Sequence, residues 1–62
     1  MLHNSKYNMM RQLVEENCSL WRIKDAYLQD AQSDEEKEFW NKVAERKEEL
    51  VKDLEEMIAK QS

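Results

Sequence analysis

The sequence predicts an all-α protein folded as an antiparallel two-helix hairpin, and three observations carry that reading. Glycine and proline are both absent. Apolar pairs recur at a spacing of seven in each half of the chain. A helix-start signal, Ser33-Asp34-Glu35-Glu36, stands between the two halves.

The absence of glycine and proline removes the strongest helix breakers. It also removes the residues on which tight β-turns depend, so a multi-stranded fold is not expected. The 62 residues bound the chain to a single domain, 1–62. A chain this short buries little surface and needs a disulfide, a metal or a partner subunit to hold its fold. Cys18 is the sole cysteine and cannot pair within the chain, and His3 is the sole histidine. Oligomerisation is the option that remains.

In the first half, Leu13-Val14, Leu20-Trp21 and Tyr27-Leu28 repeat at seven, and Met10 and Ala31 extend the face. That is the period of a helix and not of a strand. Asn4 or Ser5 is suited to cap its start. Helix one is expected over about 5–31, with residues 1–4 frayed. In the second half, Val43-Ala44, Leu50-Val51 and Met57-Ile58 repeat in the same way, with Phe39, Trp40 and Leu54 beside them. Ser33 and Glu36 fit a capping box, each side chain bonding to the backbone of the other. Asp34, Glu35 and Glu36 set negative charge at the positive end of the helix dipole, and Lys60 sets positive charge at the other end. Helix two is expected over about 34–60, its outer face supported by Glu38–Lys42, Glu48–Lys52 and Glu56–Lys60. The turn, about 32–33, is short enough to force the helices antiparallel. The competing reading is one continuous helix, against which the capping box speaks.

Between the pairs runs a central row on each helix: Met10, Asn17, Lys24 and Ala31, then Trp40, Lys47, Leu54 and Gln61. Pairing about the turn brings Lys24 toward Trp40 and Asn17 toward Lys47. Asn17, Lys24 and Lys47 are thus polar residues at candidate interior positions. The bland reading has the lysines laying their stems on apolar neighbours with their ends in water. The sharper reading makes these residues a device for register and oligomer state, with Glu16 as partner to Lys47.

The expected core and interface is Leu13, Val14, Leu20, Trp21, Tyr27, Leu28, Trp40, Val43, Leu50, Val51, Leu54, Met57 and Ile58. Ile23 widens the stripe of helix one on one side and Cys18 on the other. Such a stripe is broader than one partner helix can cover, and contiguous exposed apolar area marks association sites. Two hairpins packed face to face would cover it as a four-helix bundle. A homodimer is expected, a two-fold pair being the commonest oligomer.

Tyr27, the run Asp34-Glu35-Glu36-Lys37-Glu38-Phe39-Trp40, and the run Val43-Ala44-Glu45-Arg46-Lys47-Glu48-Glu49-Leu50 resemble a rubrerythrin-type, ferritin-like helical hairpin. The resemblance covers about residues 20–58 and implies a hairpin that pairs with a second around a di-iron centre. The family's first metal-binding Glu falls at Lys24, and its E-x-x-H positions fall at Lys47 and Leu50. A cationic lysine and an apolar leucine do not ligate iron. The resemblance therefore implies a shared shape without the family's cofactor, and no cofactor is expected.

No enzyme is expected either. Without glycine there is no phosphate loop. Cys18 has no helical histidine to activate it and reads as a small buried or half-buried side chain. Trp21 and Trp40 read as core. Glu35 with Glu38, and Glu45 with Glu48, read as a solvated acidic face. The net charge of −4 argues against nucleic-acid binding, which phosphate neutralisation drives, and against an anionic membrane surface. No apolar run approaches a membrane span. Met1-Leu2-His3-Asn4 does not begin a signal peptide, so the expected location is cytoplasmic. The expected function is a non-enzymatic protein–protein interaction module that self-associates, an adaptor or regulator. The alternatives are an RNA-binding hairpin dimer using Arg11, Arg22 and Lys24, or a ferritin-like metal-binding relative.

Overall fold

The computed structural model describes residues 4–61. Two helical arms run antiparallel over a molecule of 47 × 16 × 12 Å. The first arm comprises α1 (Asn4–Arg22), a π-helical turn (Ile23–Tyr27) and a last α turn, α2 (Leu28–Asp30). The second arm is α3 (Asp34–Lys60). The continuous-helix alternative is thereby excluded. Asn4 and Ser5 both lie inside α1, so neither is the capping residue that precedes it. Asn4, expected to be frayed, is helical, and the expected fraying of residues 1–3 falls outside the described residues.

The connection is built without a left-handed residue, which is why a glycine-free chain can make it. Ala31 leaves the helix in an extended conformation, with φ −62° and ψ 135°. Ser33 is extended again, with φ −149° and ψ 163°. Its Oγ accepts from the Glu36 amide at 3.1 Å, and its carbonyl accepts from the Lys37 amide at 3.1 Å. The reciprocal half of the capping box differs from the expectation by one residue. Glu36 Oε2 accepts from the Gln32 amide at 3.3 Å instead of from Ser33. The side chain thus ties down the turn itself as well as the helix it starts.

The arms meet along one narrow seam. In α1 it runs through Lys6, Met9, Leu13, Glu16 and Leu20 to Ile23, stepping by three and four. In α3 it runs through Trp40, Ala44, Lys47, Val51, Leu54 and Ile58. Among the described residues Ile23 and Ala44 are the buried apolar side chains, and Ile23 is the large one that is fully enclosed. Ile23 thus sits at the heart of the seam, although the sequence reading put it at the edge of a stripe. The reason is that the inward row of α1 lies one position earlier than the central row expected from the pairs.

The π turn adjusts this register. The Leu28 amide donates to the Ile23 carbonyl, five residues back instead of four. One extra residue is accommodated per turn, so Leu28 follows Ile23 down the seam where a regular α-helix would rotate it away. Tyr27 meanwhile lies against Trp40, ring centroids 4.9 Å apart. Phe39 meets the edge of Trp40 at 5.2 Å. This aromatic cluster closes the turn end of the hairpin.

Candidate interaction surface

Two features of the hairpin have chemistry beyond packing: a charged pair in the seam and an apolar stripe outside it. Glu16 is buried, 9% exposed, at the middle of the α1 row. Lys47 Nζ donates to its Oε1 at 2.7 Å, and Gln12 Nε2 donates to its Oε2 at 2.6 Å. Both carboxylate oxygens are therefore satisfied, which is what burial of a charge requires. The Lys47 hydrogen bond, foremost, and that of Gln12 hold the Glu16 carboxyl below its ordinary range, against the opposing effect of burial. Gln12 carries no signal in the sequence pattern beyond its place one turn before Glu16.

Lys47 is thus a half-buried cation in the seam, and its partner is the Glu16 expected from the sequence. The other two polar candidates lie elsewhere. Asn17 is exposed and turns its amide back onto the Leu13 carbonyl at 3.1 Å. Lys24 is exposed and reaches Glu48 across the arms at 3.7 Å, not Trp40. Glu48 consequently faces Lys24 and not Lys52, and among the described residues none of the three outer Glu–Lys pairs closes.

The apolar pairs divide between the two sides of the arms. Leu13, Leu20, Leu28, Trp40, Val43, Val51, Leu54 and Ile58 are half-buried. Val14, Trp21, Tyr27, Leu50 and Met57 are exposed. Adjacent helical residues point about 100° apart, so a hairpin with one neighbouring arm takes in one member of each pair except Val43-Ala44, where both are covered. Cys18 is also exposed, against the expectation of a covered side chain.

The members left outside are not scattered. Tyr7, Met10, Val14 and Trp21 step along α1 by three, four and seven, each one position after a seam residue and so about 100° round the helix from the seam, with Asn17 and Cys18 between the last two. Val14 is 57% exposed and Trp21 66%. An open groove of about 460 Å³ is lined there by Asn17, Cys18, Trp21 and Arg22. Along one edge of the stripe, Arg11 Nε pairs with Glu15 Oε1 at 3.2 Å. Tyr7, one turn earlier, together with Glu15 raises the Arg11 guanidinium further above its already high value. On α3, Phe39, Leu50 and Met57 make a second, separate exposed row. Tyr7 escaped the sequence reading because it precedes the first seven-residue pair, although its spacing to Met10 and Val14 was legible.

Of the basic residues considered for RNA, Arg11 and Lys24 are each engaged by a carboxylate. Among the described residues no three His, Cys, Asp or Glu side chains converge in a way that holds a metal ion. No described helix is long and apolar enough to cross a membrane. No protein-family model, curated protein or solved structure matches the chain. The ferritin-like resemblance rests on its residue pattern alone.

Proposed function

We propose that this chain is a small, non-enzymatic helical interaction module that self-associates, an adaptor or regulator working in the cytoplasm. The observation that carries the reading is the apolar stripe of Tyr7, Met10, Val14 and Trp21 exposed on the flank of α1 beside the seam. Single exposed apolar residues need no explanation, but a contiguous row does. A hairpin whose buried apolar side chains are Ile23 and Ala44 has little core of its own, and chains of this size gain their stability from association. Two hairpins together make a four-helix assembly. The exposed thiol of Cys18 suits a reducing compartment, where it stays free.

Sedimentation equilibrium over a range of concentrations tests this. The expected result is a mass approaching twice 7.6 kDa as concentration rises. A fully helical monomer at every concentration overturns self-association.

A further inference from the structure

We infer that two copies of this chain dock antiparallel through the outer stripe of α1, with the two-fold axis passing beside Val14. This rests on the self-association reading and names the surface, the orientation and the contacts.

The elongated hairpin carries area enough for a partner. It exposes 5077 Å². A folded monomer of 7.6 kDa exposes about 4,300 Å² by the usual scaling of area with mass. The excess is about 800 Å², which is also about what each partner contributes to a stable interface of standard size.

The stripe itself argues that the cover is a second copy. Val14 is midway between Tyr7 and Trp21. Laying two stripes antiparallel about an axis there brings Tyr7 of one copy over the groove formed by Asn17, Cys18, Trp21 and Arg22 of the other. Met10 then stands level with Cys18, beside Asn17. Each copy offers a projecting ring at one end of the stripe and a receiving groove at the other. An isologous contact requires that self-complementarity.

Charge selects the orientation. Arg11 and Glu15 share one edge of the stripe, one helical turn apart. Antiparallel docking beside Val14 brings the Arg11–Glu15 edges of the two copies to the same side of the interface, with Arg11 of each copy about 3 Å along the axis from the level of Glu15 of the other. Parallel docking sends the two Arg11–Glu15 edges to opposite sides of the interface, where neither meets the other. Complementary charge across the interface therefore accompanies the antiparallel arrangement alone.

Crosslinking tests the geometry, with cysteines placed at exposed positions in a Cys18→Ser background. Val14→Cys is expected to crosslink to itself through a short bismaleimide. Met10→Cys and Asn17→Cys are expected to crosslink efficiently only when the two variants are mixed, because like positions stand roughly 10 Å apart along the axis at 1.5 Å per residue. In sedimentation, Tyr7→Ala and Trp21→Ala are each expected to weaken dimerisation about tenfold or more, as aromatic anchors do. Circular dichroism on each variant establishes that the helices persist. A dimer in which Met10→Cys and Asn17→Cys each crosslink alone, or in which no position crosslinks, overturns this interface and leaves self-association standing. A monomer at every concentration overturns both.

Discussion

Lys47 and Glu16, thirty-one positions apart in sequence, are joined across the hairpin by a hydrogen bond of 2.7 Å. It is the polar bond that ties the two arms together at the centre of the seam. Removing one partner strands the other in a site built for a pair, whereas removing both replaces charge with packing. Lys47→Met should therefore destabilise the hairpin by about 1–3 kcal/mol. The double variant Glu16→Leu, Lys47→Leu should recover most of that loss or exceed the parent. Urea unfolding at one fixed protein concentration checks both. A Lys47→Met protein as stable as the parent would show that the pair is idle.

The same pair gives the hairpin an acid dependence. Lys47, chiefly, holds the Glu16 carboxyl below its ordinary value of 4.5. A carboxyl depressed in the folded state adds stability that is complete above the unfolded value and is lost as pH falls through the folded one. Stability should thus hold from neutral pH down to about 4.5 and fall below it. In Lys47→Met that part of the acid loss should be missing. Urea midpoints taken between pH 7 and pH 3 on both proteins decide the matter.

The π turn behaves as one inserted residue, and that is testable by deletion. Removing the exposed Asp25 should convert the Leu28-to-Ile23 bond from a five-residue to a four-residue step and leave Leu28 in the seam. The hairpin should stay folded and helical. Removing Asn17, equally exposed, rotates everything beyond it by about 100° and carries Leu20 and Ile23 out of the seam. That variant should lose cooperative thermal unfolding by circular dichroism.

The turn depends on one hydroxyl. Ser33 Oγ accepts from the Glu36 amide, and replacing such a cap by alanine costs about 1 kcal/mol. Ser33→Ala should lower the thermal midpoint at fixed concentration, and Ser33→Asp should largely restore it.

The two tryptophans should report on different events. Trp40 is half-buried and packs with Tyr27 and Phe39, while Trp21 projects from the outer stripe. In Trp40→Phe, acrylamide quenching of the remaining Trp21 should weaken as protein concentration rises and the stripe is covered. In Trp21→Phe, quenching of Trp40 should be lower and nearly independent of concentration. Trp21 quenching that never changes with concentration would place the interface elsewhere.

Much of this protein is legible in its sequence because helices are local. The seven-residue spacing of Leu13, Leu20, Val43, Leu50 and Met57 with their neighbours announces two amphipathic helices. Ser33 and Glu36 announce where the second begins, since a cap bonds across three residues. α3 accordingly spans Asp34–Lys60 as its end signals imply. Which member of each apolar pair turns inward is another matter. Leu13 and Val14 are equally suited to a seam, and only contact with the opposite arm separates them. That contact put Leu13 inside and Val14 out, buried Ile23, paired Glu16 with Lys47, and sent Asn17 and Lys24 to the surface. The π turn belongs to the same class. No local preference demands an extra residue between Ile23 and Leu28. Keeping both in the seam does, and a seam exists only between two arms.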